Sequence, residues 1–276
     1  MMKELEHTMT NDLLFKMVFL KNQNLLKHFI SVVLGIDVKD IKDFIIINTE
    51  LLPENLGDKF CKFDIHMTVN GKKICLEVQV RDEGDYRERT MFYLAKDFAA
   101  ALAEGGNYNE IPQVIIISIV DFILFEKEDF KSTYLLMDED THEVLSDKMK
   151  LKYYELKKLK DEINANEELK LWLKLFKAKT VEELKKLENT EVPFMREAVA
   201  TFREVSKSKE FKEIERMRSK ARHDEAQALF HAELKGMEKG RAEGIAEGIA
   251  EERARMEKLL AEKDAEIAQL KKKTTV

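Results

Sequence analysis

The sequence predicts an α/β fold: a mixed sheet flanked by helices, followed by an all-helical C-terminal extension. Three observations carry this. Residues 60–80, FCKFDIHMTVNGKKICLEVQV, alternate apolar and polar side chains about Asn70-Gly71, a pair whose tolerance of positive φ suits a two-residue hairpin turn. Residues 114–120, VIIISIV, are almost wholly apolar and β-branched, as in a strand covered on both faces. From Ala165 onward the composition turns to helix formers, and the last third is nearly continuous in them.

Taken in order, Thr10-Asn11-Asp12 precede LLFKMVFL, so a helix capped near Thr10 or Asn11 is expected, with Leu14, Phe15, Val18 and Phe19 as its apolar stripe. Asp12 and Lys16 lie four apart and can project together, either as functional groups or as a helix-start acid with an i,i+4 ion pair worth about 0.3–0.5 kcal/mol. Residues 22–34 read as a second helix closed by Gly35. Phe44, Ile45, Ile46 and Ile47 read as a buried strand leading to Glu50, and Pro53, Glu54, Asn55 and Gly57 form a loop into the hairpin.

The register of that hairpin follows from its turn. If Val69 and Lys72 flank it, Asp64 falls opposite Glu77 and Lys62 opposite Gln79. Phe63, Ile65, Met67 and Val69 then share an apolar face with Ile74, Leu76, Val78 and Val80. Lys62, Asp64, His66, Cys75, Glu77 and Gln79 share the other. Opposed carboxylates with Cβ atoms roughly 5 Å apart repel. Either a divalent cation offsets that repulsion, or the face is solvated and Lys62 and Lys73 screen it.

After the hairpin, Asp82-Glu83-Gly84 break the strand and residues 86–104 read as a helix with Met91, Leu94, Ala95, Phe98 and Leu102 as its apolar face, closed by Gly105-Gly106. Arg87 and Arg89 stand in its first turn. Their planar forks suit phosphate oxygens, and they suit Glu83, Asp85 or Glu88 equally. Residues 134–137 and 151–156 add edge strands. The histidines show no metal-ligand spacing and read as surface or packing residues.

Beyond about residue 160, Leu169, Trp172, Leu173, Leu175 and Phe176 mark an amphipathic helix in which Trp172 is a packing residue. Val181 begins a shorter helix, and Pro193 suits the start of the next. Gly236, Gly240, Gly244 and Gly248 recur every fourth residue in a charged helical repeat. They lie between no strand and helix, so a nucleotide-binding loop is not expected. Ile249, Met256, Leu260, Ile267 and Leu270 trace a heptad seam, broken by Arg253 and Lys263, that reads either as a coiled coil joining copies of the chain or as a solvated helix. The expected domains are 1–160, 161–207 and 208–276.

The chain has 276 residues, 44% hydrophobic and 36% charged, with a formal net charge of −6. That balance supports a substantial core and restricts any nucleic-acid contact to a local patch. Cys61 and Cys75 do not face one another, and no stretch forms an uninterrupted membrane span, so a reduced cytoplasmic setting without a membrane is expected.

The motifs TNDLLFK at 10–16, FDI at 63–65, LEVQ at 76–79, RERTMFY at 87–93 and VIIISIVDF at 114–122 resemble, in order and spacing over residues 8–156, the PD-(D/E)XK nuclease superfamily. More narrowly they resemble its group of recombination-promoting nucleases and transposases, whose tails the Gly-Glu-Ala repeat also resembles. The resemblance implies a restriction-endonuclease-like sheet and a Mg²⁺- or Mn²⁺-dependent endonuclease that hydrolyses DNA. Asp64 and Glu77 match its metal-binding acids, with Asp12 and Glu50 matching less closely placed ones. Gln79 stands where the wider superfamily usually has lysine. Glutamine orients water but supplies no positive charge, so Lys62, facing it in this register, or Lys16 would provide one, while Arg87 and Arg89 would steady the flanking DNA. The alternative is a catalytically impaired nuclease fold that binds DNA or assembles.

Overall fold

The computed structural model describes residues 3–47, 50–51, 61–62, 64–102, 106–160 and 165–273; the side chains of 50–51, 61–62 and 268–273 lie outside the description. The loop expected around Pro53 to Gly57, Phe63, and the glycine expected to close the helix at 105 fall outside the described residues.

Helices α1 (Asp12–Lys21) and α2 (Gln23–Leu34) open the chain. Asn11 caps α1 by accepting from the Leu14 amide at 2.9 Å, and Asp12 sits in the first turn, where the helix dipole favours an acid. Gly35 ends α2 in the left-handed conformation at φ 72°, as the sequence predicts. Strand β1 (Phe44–Ile47) follows, then the short pair β2 (Glu50–Leu51) and β3 (Cys61–Lys62), then the hairpin β4 (Ile65–Val69) and β5 (Lys72–Gln79). Helix α3 (Tyr86–Ala99) crosses to β6 (Val114–Val120), and β7 (Lys131–Met137) and β8 (Val144–Glu155) complete the strands.

Six strands form one mixed sheet in the order β1-β4-β5-β6-β8-β7. The hairpin is antiparallel, β5 and β8 run parallel to β6, and β7 runs antiparallel to β8. Its register is the expected one, with Ile65 opposite Leu76 and Val69 opposite Lys72, and Asn70 and Gly71 both take positive φ. Asn70 does more than turn. Its side chain accepts from the Lys42 and Asp43 amides and donates to the Asp40 carbonyl at 2.7 Å, tying the hairpin tip to the segment before β1.

Two apolar layers cover the sheet. On one side Ile65, Met67, Val69, Ile74, Leu76, Ile115, Ile117 and Ile119 pack with α1 and α2 and with three later helices, α4 (Glu167–Lys177), α5 (Val181–Glu188) and α6 (Pro193–Lys207). Trp172 is fully buried there. It donates from Nε1 to His28 Nδ1 at 3.1 Å and stacks on Phe194 at 5.6 Å. On the other side α3 lies over Cys75, Val114, Ile116, Val120, Leu151 and Tyr153.

Four expectations are corrected. Strand β1 is an edge, with Ile45 58% exposed, because nothing covers its outer face among the described residues. Strand β8 is interior, flanked by β6 and β7. Helix α3 ends at Ala99, and its buried stripe is Tyr86, Thr90, Leu94 and Asp97: of the expected apolar face Leu94 is buried and Phe98 packs against the same layer, whereas Met91 is 58% exposed. Lys62 does not face Gln79. Strand β4 begins only at Ile65, and Lys62 pairs with Glu50 in the separate two-stranded ladder.

Contacts divide the chain into Met1–Glu213 and Ile214–Val276. The second unit belongs to α7 (Lys209–Lys273), where the four repeated glycines have open space at the Cβ position. No helix among the described residues is long and apolar enough to cross a membrane.

Removing Trp172 deletes the largest fully buried side chain and orphans the His28 acceptor. Trp172→Ala should therefore lower the unfolding free energy by about 3–5 kcal/mol, with Trp172→Phe costing less, as read by urea titration.

Candidate active site

The ladder between β4 and β5 stops at Ile65, and the chain bends at Asp64. The next amide on β5 still needs an acceptor, because a backbone N–H left unpaired in a half-buried sheet is costly. Asp64 supplies it: the Val78 N–H donates to Asp64 Oδ2 at 2.8 Å. A carboxylate therefore takes the place of a strand carbonyl. The same bend leaves Asp64 close enough to Glu77 to bear on its charge.

Glu77 is 7% exposed, enclosed by α3 and the sheet, and its Oε1 has no hydrogen-bond partner. Burial raises its pKa well above the ordinary 4.5, and the Asp64 charge raises it further. Arg89 and a backbone hydrogen bond from Asp64 oppose that rise without overcoming it. Around it stand Ser118, its partner in the β5–β6 register, and Tyr86, whose phenol is pushed up by burial and by Glu77. At His66, Cys75 and Glu77 the polar hairpin face is thus buried and not solvated.

A buried carboxyl oxygen without a donor, beside a second carboxylate, fits a hard divalent cation, for which oxygen ligands and few protein groups suffice. Asp64 and Glu77 are the residues that could hold it.

The other sequence-predicted groups are placed variously. Gln79 follows on the same face, half-exposed, with its amide donating to the Arg81 carbonyl at 3.0 Å. Arg89 lies 5.0 Å over the Tyr86 ring and 3.8 Å from Glu83, and acts electrostatically on Glu77. Arg87 is engaged within the fold: it donates to the Leu124 carbonyl at 2.5 Å and covers the Phe125 ring at 5.1 Å. Asp12 and Lys16 are half-exposed on α1, each with interactions of its own. Glu50 and Lys62 face each other in the β2–β3 ladder, their side chains outside the described residues.

Sequence reasoning missed Asp97. It is completely buried on the underside of α3, with His66 Nε2 3.2 Å and Cys75 Sγ 3.4 Å from its Oδ2 and Lys73 Nζ 3.4 Å from Oδ1. The available signal was its seven-residue spacing from Thr90, which puts both on one helix face, above the polar residues of the hairpin. Asp121, directly after β6, was missed as well: its amide donates to the Gln79 carbonyl, and its carboxylate pairs with Lys179 at 3.2 Å.

The Glu77 carboxyl sets a pH dependence in the metal-free chain. A raised folded pKa favours the protonated form, so its stabilisation is full below the ordinary value of 4.5 and is lost as pH rises through the raised one. Glu77→Gln removes this titration. In chelator, its unfolding free energy should gain on that of the parent as pH rises above 4.5; a pH-independent difference in urea titrations would contradict the assignment.

Searches of curated proteins and of solved structures each found no match. A family model described as PD-(D/E)XK nuclease family transposase matches residues 9–232, which takes in the sheet, the hairpin and the helices packed on both faces. Nucleases of this type generally use divalent metals, in accord with the orphaned Glu77 oxygen. The chain belongs to the PD-(D/E)XK nuclease family of transposases.

Proposed function

We propose that the protein is a metal-dependent DNA endonuclease of the transposase type, acting in DNA recombination, which hydrolyses phosphodiester bonds with Mg²⁺ or Mn²⁺ held by Asp64 and Glu77. The observation that carries this reading is the buried, unpartnered Oε1 of Glu77 beside Asp64, in a chain that matches the nuclease family along most of its length. When bound, the ion makes water a stronger nucleophile and offsets charge on the phosphate.

The residues divide the remaining work. Asp64 and Glu77 supply anionic oxygens from a rigid hairpin, Asp64 being fixed by the Val78 amide. Gln79 orients the attacking water once its amide leaves the Arg81 carbonyl. Lys16 or Lys62 supplies the positive charge that glutamine lacks, and Asp12 and Glu50 are secondary candidates for the metal. Arg89, next to Glu77, steadies the flanking backbone; Arg87 does so less directly, since its guanidinium already holds the segment after β6.

A second reading rests on Gln79. With no cation on that strand position and the amide engaged internally, the fold could serve as a catalytically impaired DNA-binding or assembly module. We place assembly in α7, where Ile249, Met256, Leu260 and Ile267 are each about half exposed along one heptad seam.

Two experiments test these statements. Supercoiled DNA should be nicked by the parent with Mg²⁺ or Mn²⁺ and not in chelator, and Asp64→Asn and Glu77→Gln should each slow nicking by about a hundredfold or more. Unchanged nicking in both variants would remove the mechanism. In sedimentation, the parent should run as an oligomer that Met256→Lys with Leu260→Lys dissociates; a parent that is already monomeric would reject the assembly role.

A further inference from the structure

The cluster formed by His66, Cys75 and Asp97 is unused by the mechanism above, and its chemistry differs from that of Asp64 and Glu77. It offers one imidazole nitrogen, one sulfur and one carboxylate oxygen, all within 4.8 Å of one another. Magnesium and calcium favour oxygen donors, whereas this mixed set suits zinc and related transition cations.

The donor spacing fits such an ion. Zinc binds nitrogen at about 2.0–2.1 Å, oxygen at about 2.0–2.2 Å and sulfur at about 2.3 Å, so the edges of its tetrahedron run roughly 3.3–3.6 Å. His66 Nε2 and Cys75 Sγ stand 3.2 and 3.4 Å from Asp97 Oδ2. Two of the three donor edges thus match, and the third, between His66 and Cys75, is no longer than 4.8 Å. The backbone that carries the donors is also regular: His66 and Cys75 are directly paired across β4 and β5, and Asp97 descends from α3. None of the three is more than 2% exposed.

Charge supports the same assignment. A thiolate and a carboxylate neutralise a divalent ion, leaving no net charge to bury beneath α3. The neighbouring cation is Lys73, 3.4 Å from the second Asp97 oxygen, with its side chain 22% exposed. Lysine can withdraw its ammonium to solvent along that opening. It is a competitor for Asp97 rather than a ligand.

We propose that His66, Cys75 and Asp97 form a second metal site, selective for zinc-like cations, that fastens α3 to the hairpin. It is separate from the Asp64 and Glu77 pair: each strand ligand is two residues, about 7 Å, from the corresponding nuclease acid. The bound ion would fix the helix that covers Glu77 and carries Arg89.

Cobalt reports directly on this coordination. The full chain, stripped with chelator and titrated with Co²⁺, should gain about one equivalent of near-ultraviolet thiolate charge-transfer absorption and intense visible bands of tetrahedral cobalt, both displaced by Zn²⁺. Glu77→Gln should keep these bands, which separates the site from the nuclease pair. Cys75→Ala should lose the charge-transfer band, and Lys73→Gln should tighten binding by about tenfold through removal of a like charge. A parent without the thiolate band, or a band that survives in Cys75→Ala, would overturn the site. Should Cys75→Ala fail to fold by circular dichroism, Asp97→Asn decides: it should weaken cobalt binding at least tenfold, and unchanged affinity would overturn the proposal.

Discussion

The hydrogen bond from the Val78 amide to Asp64 Oδ2, 2.8 Å long, is a small interaction on which much else depends. It satisfies the β5 donor that β4, ending at Ile65, leaves without a strand partner, while β5 keeps its parallel pairing with β6 as far as Gln79. A main-chain carbonyl would have satisfied the same donor without bringing a charge. Using a carboxylate fixes Asp64 by an obligatory backbone bond and leaves it close to Glu77, where its repulsion adds to the cost of burial. Glu77, buried beside Asp64, resists ionisation unless a cation joins them. Structure and chemistry are therefore coupled at a single residue.

Helix α3 turns this pair into an enclosed site. Its inner face carries Tyr86, Thr90 and Asp97 as well as Leu94, matching the polar face of the hairpin rather than an apolar layer. Thr90 and Tyr153 share a hydrogen bond at 2.5 Å, and Asp97 gathers His66, Cys75 and Lys73. A polar interface of this kind is favourable only when its groups find partners, which specifies the helix position more narrowly than apolar packing would. The apolar work is done on the opposite side, where α1, α2 and α4 to α6 share one core with the other face of the sheet.

The hairpin, its register and the central strand were legible because each rests on short-range rules. Asn70-Gly71 requires positive φ, alternation sets the faces, and a run such as Val114 to Val120 has no polar side to expose. The helices around Trp172 and Pro193 were legible from apolar spacing for the same reason. What escaped depended on tertiary contacts. The buried stripe of α3 could not be found whole by seeking apolar residues: Leu94 and Phe98 do pack inward, but Thr90 and Asp97 share that side and Met91 does not. The register carried on to Lys62 failed because alternation says nothing of where a strand ends; the bend at Asp64 does. The closeness of Asp64 to Glu77 was legible from their facing positions, yet the burial of Glu77 and the contacts of Asp97 and Asp121 required the fold.

The central claim is that Asp64 and Glu77 hold one divalent cation. Crystals soaked in Mn²⁺ and measured for anomalous scattering test it most directly. The account predicts a peak in contact with carboxylate oxygens of both residues, with the ion taking the donorless Oε1 of Glu77. A well-ordered crystal with no peak between them, or with Glu77 still unligated beside manganese bound elsewhere, would contradict it.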